Sequence, residues 1–167
     1  MHRDRALAQF TLTGLVTTTK DSHLKNAWGT AHLPGGPFWI ADEDTGVSAL
    51  YDANGTIVSL VVTVPPAATG TGTPTGIVGN SASDFVVTHN GNSRPAALIF
   101  DSLDGTSSGW NSSVDASSAV IAVNNHAAAN YTSLAIGKSG TQTFLFAANS
   151  AKNQIEVYNS GFKSSSW

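Results

Sequence analysis

The sequence predicts an all-β fold assembled from repeated four-stranded antiparallel units, and three observations predict it. Apolar runs of about four to six residues are each bounded by Gly, Pro, Asp or Asn, the pattern of strands joined by tight turns. The phrase Phe38-Trp39-Ile40-Ala41-Asp42 returns as Leu98-Ile99-Phe100-Asp101 and again as Leu145-Phe146-Ala147-Ala148-Asn149. Tyr51, Trp110 and Tyr158 close the three units, each with a side-chain oxygen residue nine positions upstream: Asp42, Asp101 and Asn149. The units are spaced 59 and 48 residues apart. Periods of about 40 to 50 residues with four strands each are the signature of β-propeller blades, which bury their faces only against one another.

Taken in order, residues 8 to 19 alternate apolar and polar side chains with many β-branched residues, which predicts one extended N-terminal strand outside the repeat. The first unit occupies about residues 26 to 64, and Pro65-Pro66 stops its last strand. A Gly/Thr/Pro stretch from Ala67 to Thr75 connects it to the second unit, about 74 to 123. Gly76 to Asp101 spans 25 positions where Gly29 to Asp42 spans 13, so the second unit holds an extra hairpin or has a different boundary. Asn90-Gly91 between two apolar runs is a strong hairpin signal. Residues 127 to 129 are compatible with one helical turn, and the third unit runs from about 131 to 160. All three units belong to a single domain spanning residues 1 to 167.

With 41% hydrophobic and 11% charged residues, the chain has ample core and a surface dressed in Ser, Thr, Asn and Gly. The net charge is -3 and the cations are scattered, so the electrostatic footprint of a nucleic-acid partner is missing. No apolar run approaches the roughly 20 residues of a membrane helix. The absence of cysteine excludes disulfides, zinc-thiolate sites and cysteine nucleophiles. The low-charge, Ser/Thr-rich surface leans towards a secreted, extracellular protein. Three Asn-X-Ser/Thr sequons, at Asn54, Asn111 and Asn130, add little to this, because chance explains most such matches in a chain so rich in Asn, Ser and Thr.

The runs Asn26-Ala27-Trp28-Gly29, Gly36 to Asp42, Pro74 to Val78 and Asp104 to Asn111 resemble an uncharacterised family of mostly secreted bacterial and fungal proteins predicted to be six-bladed β-propellers. The resemblance covers nearly the whole chain from Asn26 onward, and implies a fold without an established activity. On that expectation the chain holds half a propeller, and a homodimer would complete the ring with six blades. The spare strand at Phe10 to Thr18 would then pair with the edge of an incomplete last blade.

Several constellations bear on chemistry. Gly105 to Gly109 matches the G-x-S-x-G nucleophile elbow, but no helical period follows it, so the expectation is a hairpin strand. Asp42-Glu43-Asp44-Thr45-Gly46 opens like a calcium loop and then lacks the later ligands, which fits a two-strand turn. Asp42, Asp101 and Asn149 are the candidate metal ligands: on one rim of a propeller, oxygens at equivalent positions could converge on a calcium ion. The competing expectation is that each Asx side chain caps its own turn. His32 and His89, at strand ends, are the candidate catalytic bases. Trp28, Trp39 and Trp110 are either a carbohydrate platform or core between units. The leading functional expectation is a non-catalytic binding or scaffolding protein for a small-molecule or carbohydrate ligand. The alternative is a metal-dependent hydrolase or lactonase.

Overall fold

The computed structural model describes residues 11–166. It is all-β: thirteen strands in four antiparallel sheets, with two single-turn 3-10 segments at Glu43–Thr45 and His126–Ala128. The sheets form no closed barrel or ring among the described residues.

The first unit is a meander of β1 (Ala27–His32), β2 (Phe38–Asp42), β3 (Val47–Tyr51) and β4 (Ile57–Thr63), paired in sequence order. The second comprises β5 (Pro74–Gly79), then β6 (Val86–His89) and β7 (Asn92–Pro95) as a separate hairpin, then β8 (Leu98–Ser102), β9 (Thr106–Trp110) and β10 (Val120–Asn124). Its main sheet runs β10-β9-β8-β5, so β6 and β7 are the inserted hairpin that accounts for the longer spacing, with Asn90 and Gly91 at positive φ in its turn. Fully buried Phe85 anchors the insertion, stacking edge-on against Phe162 at 5.2 Å.

The third unit has three strands, β11 (Tyr131–Ser139), β12 (Gln142–Asn149) and β13 (Gln154–Asn159), rather than the four expected. A fourth is only begun: Tyr158 bridges Ser164, and the Ser165 N–H donates to the Val157 carbonyl. The N-terminal strand is also corrected. Residues 11 to 17 take no strand pairing, residues 18 and 19 lie in a turn, and the first part of that expected strand, residues 8 to 10, lies outside the described residues. Alternation is a local property, whereas a strand requires a neighbour for its N–H and C=O groups. This segment instead runs over the first sheet, where Lys20 Nζ donates to the Leu15 carbonyl and the Asp21 carboxylate accepts from Tyr51.

The units stack through their sheet faces. One core joins Trp39, Ala41, Leu50 and Val62 of the first unit to Leu98, Phe100 and Trp110 of the second, with the two tryptophan rings 4.9 Å apart. The second joins Ile99 and the inserted hairpin to Tyr131, Leu134, Leu145, Ala147 and Tyr158 of the third unit. Leu98, Ile99 and Phe100 are consecutive and fully buried because their sheet is covered on both sides. Each such side chain contributes roughly 1.5–3 kcal/mol of burial free energy.

At the start of each unit, β5 packs against β1 on one side and β11 on the other. Glycine permits this approach: a Cβ on Gly29 would lie 2.4 Å from the Thr75 carbonyl oxygen, and one on Gly76 would lie 2.5 Å from the Leu134 nitrogen. The echo between Trp28-Gly29-Thr30-Ala31 and Thr75-Gly76-Ile77-Val78 is thus a packing constraint.

Candidate functional site

Register decides which residues are equivalent. Each unit pairs its first and second strands through the same irregularity: Ala27 opposite Asp42, Pro74 opposite Ser102, and Tyr131 opposite Asn149, each followed by a shift in register. On the other side of the second strand, Phe38 faces Tyr51, Leu98 faces Trp110 and Leu145 faces Tyr158. Both alignments place Ser102, not Asp101, level with Asp42 and Asn149. The turn after β8 is one residue shorter than its counterparts, so counting back nine positions from Trp110 lands on the neighbouring residue. Successive strand residues point to opposite faces. Asp42 and Asn149 face towards the chain-preceding side of their units, and Asp101, next to Ile99, faces the third unit. The expected equivalence of Asp42, Asp101 and Asn149 is therefore corrected.

Their surroundings differ accordingly. Asp42 is fully buried; its Oδ2 accepts from the Ala49 N–H at 3.2 Å and its Oδ1 has no protein partner. Burial, with the Asp21 charge nearby, pushes its carboxyl from 3.8 to about 7. Asp101 is also fully buried, with Oδ1 accepting from the Ser107 hydroxyl and Oδ2 unpartnered in the protein; burial raises it to about 7, and the charge of Glu156 adds to the rise. Asn149 alone caps its turn as expected, its Oδ1 accepting from the Ala151 N–H two residues on. Among the described residues, no three His, Cys, Asp or Glu side chains are placed to share a metal ion.

The histidines do not join these acids. His32 ends β1 opposite Phe38, at the far end of the hairpin from the Ala27–Asp42 pair, and its ring packs on Phe38 at 5.2 Å. His89 ends β6 on the inserted hairpin, its Nε2 3.9 Å from Asp115 Oδ2. Ser107 lies buried in β9 and spends its hydroxyl on Asp101, so Gly105 to Gly109 is a turn entering a strand. In the Asp42 to Gly46 turn, Asn26 Nδ2 donates to Glu43 Oε2 at 2.8 Å and to Asp44 Oδ1 at 3.3 Å, and Gly46 closes it at φ 67°. Trp39 and Trp110 are core between units, whereas Trp28 is 48% exposed.

The densest polar arrangement surrounds Glu156 and was not singled out from the sequence. Its Oε2 accepts from the Tyr131 and Tyr158 hydroxyls at 2.6 and 2.9 Å; its Oε1 accepts from Lys152 Nζ, Asn149 Nδ2 and Gln154 Nε2 at 2.8, 2.9 and 3.1 Å. Asn125 Nδ2 donates to both tyrosine oxygens, which are themselves 2.6 Å apart. Burial alone would raise the Glu156 carboxyl, but the bonds from Lys152, Tyr131, Asn149 and Tyr158 outweigh it and bring it to about 2. Burial pushes the Tyr158 hydroxyl up to about 12, with Glu156 adding to the rise and Tyr131 opposing it. Beside this network an open groove of about 670 Å³ follows the outer edge of β13, lined by Asn125, Lys152, Gln154, Glu156, Tyr158 and Phe162 among others. Tyr158 was legible as a closing aromatic and Asn149 as the Asx residue nine positions before it; the 31 positions separating Asn125 from Glu156 hid their meeting.

The fold and these sites define an all-β protein of stacked antiparallel units with a saturated carboxylate network beside an open groove. No family model matches the chain, and no curated protein matches its sequence.

Proposed function

We propose that the three units are consecutive blades of a β-propeller, half of a six-bladed ring, and that the protein is a non-catalytic binding or scaffolding module of the extracellular space. The observation that carries the non-catalytic reading is the use made of the acids. Glu156 is ionised and receives five donors, so it has no proton to give and little basicity with which to take one. Asp42 and Asp101 have carboxyls raised into the range of general acids, but both are fully buried and out of a substrate's reach.

The groove along β13 offers a tyrosine, a phenylalanine, two amides and a lysine, a set suited to a small polar molecule or carbohydrate. Low surface charge supports the extracellular assignment. The rival reading is a hydrolase or lactonase using calcium held by Asp42, Asp101 and Asn149, with His32 or His89 as base. Against it stand the opposite-facing Asp101 and the distance along the hairpin between His32 and Asp42.

Titrating calcium and then zinc while recording the melting temperature tests the choice. The expected result is no shift with either ion. A saturable rise abolished by Asp42→Asn would establish the metal-dependent reading instead.

A further inference from the structure

We propose that the first strands of the three units form a binding site for a neutral sugar ring, stacked on Trp28 and hydrogen-bonded to the strand edges beside it. The site is separate from the groove along β13, since β11 and β13 lie at opposite edges of the third sheet. It rests on how β1, β5 and β11 pack together and not on the units being blades of a ring.

Each of these strands ends its sheet: β1, β5 and β11 pair on one side only, with β2, β8 and β12. The N–H and C=O groups along the other side of an edge strand have no ladder partner. β5 nevertheless lies packed between β1 and β11, at the close approach that Gly29 and Gly76 permit. Thr75 fixes one of these approaches, its hydroxyl donating to the Tyr131 carbonyl at 2.7 Å. Between the three strands the structure holds a hollow of about 200 Å³, walled by residues 28–30, 75–77 and 132–134. These are the same three positions in each unit, directly after Ala27, Pro74 and Tyr131, which stand opposite Asp42, Ser102 and Asn149. Every wall residue belongs to one of the three strands, so the hollow needs no surface from any other part of the molecule.

The wall sets the chemistry of the occupant. No side chain in it carries a charge, so an ionic ligand would give up its hydration and gain no counter-charge. Thr30, Thr132 and Ser133 bring hydroxyls beside the strand edges, which offer backbone donors and acceptors together. A sugar hydroxyl both donates and accepts, and a ring bearing several of them matches such a mixed wall. Trp28 supplies the apolar element. Its counterparts in the other units are Thr75 and Thr132, and it is 48% exposed, whereas Trp39 and Trp110 are buried between units. The open face of an indole receives the C–H face of a pyranose, and its broad apolar surface otherwise stands in water. A hollow smaller than the roughly 300–1,000 Å³ of drug-sized sites suits a single ring.

Nitrogen–proton correlation spectra of the full chain, titrated with glucose, galactose and mannose, are the test. Saturable shifts of the Trp28 indole N–H and of the Gly29 and Gly76 amides are expected with at least one sugar, with a Kd of about 1–10 mM. Trp28→Ala should weaken that binding at least about tenfold, and Trp28→Phe only about two- to fivefold, because a phenyl ring keeps an apolar face. Unchanged circular dichroism and melting temperature would show that both variants fold. The uronate of the sugar that binds best should bind at least about tenfold more weakly than its parent, for want of a counter-charge. Absence of shifts with all three sugars would overturn the proposal, as would shifts confined to Lys152, Gln154 and Tyr158, which would put the sugar in the groove along β13. Binding unaltered by Trp28→Ala, or a uronate preferred over its parent, would overturn it too. Calcium and zinc play no part in these readings, so this proposal and the non-catalytic reading fail separately.

Discussion

Asp42, Asp101 and Glu156 are displaced far from ordinary carboxylate behaviour, and in opposite senses. Asp101 rises from 3.8 to about 7 through burial, so between those values the native protein holds a proton that the unfolded chain has released. Its contribution to stability is complete below 3.8 and is lost as pH rises through 7. Asp101→Asn keeps an oxygen for the Ser107 hydroxyl and removes the titration. Urea unfolding should show the variant gaining about 1–3 kcal/mol relative to wild type between pH 4 and pH 8, with a shallower slope over that interval. Asp42, also raised to about 7, supplies the slope that remains. Glu156 works the other way: lowered from 4.5 to about 2, it contributes stability that is present above 4.5 and lost as pH falls through 2. Glu156→Gln replaces an acceptor of five bonds with a group that must donate from one of its two positions. A loss of about 2–4 kcal/mol at pH 7 is expected. Lys152→Ala, at a side chain 44% exposed, should cost under about 1 kcal/mol.

The first strand of each unit carries a constraint that the others do not. Gly29 and Gly76 stand two residues into β1 and β5, at the register irregularity, where the next unit's first strand approaches too closely for a side chain. Gly76→Ala puts a Cβ 2.5 Å from backbone in β11, and neither strand can yield without disturbing two sheets. It should cost more than about 2 kcal/mol. Gly36→Ala, in a turn where the nearest atom is 3.4 Å away, should stay within about 0.5 kcal/mol by the same urea measurement. The third unit has Ser133 at the corresponding position, opposite Ala148 in the Tyr131 to Asn149 pairing.

At the scale of the molecule, no unit owns a core among the described residues. Every large buried cluster draws on two neighbouring units, so the loss of one exposes the apolar face of the next. Unfolding should therefore be a single transition. Tryptophan fluorescence reports the first seam, through Trp39 and Trp110, and a fluorine label on Phe162 reports the second. Coincident midpoints are expected, and a separation of more than about 0.5 M urea between the probes would show that the seams open independently.

What the sequence determined by itself was the local grammar. Short apolar runs between Gly, Pro and Asx residues specify strands and turns, Asn90-Gly91 specifies the inserted hairpin, and Trp39 and Trp110 recur at positions that become core. These features depend on residues close together in the chain. The tertiary structure decided everything that depends on which strand lies beside which. A turn one residue shorter after β8 moved Asp101 to the opposite face from Asp42 and Asn149, because side chains alternate with period two and a single-residue change inverts them. The strand-like segment at residues 11 to 17 found no ladder, since alternation supplies no partner. The Glu156 network gathers Asn125, Tyr131, Asn149, Lys152 and Tyr158 from separate strands and loops, and only the stacking of the second unit on the third brings Asn125 to the two tyrosines.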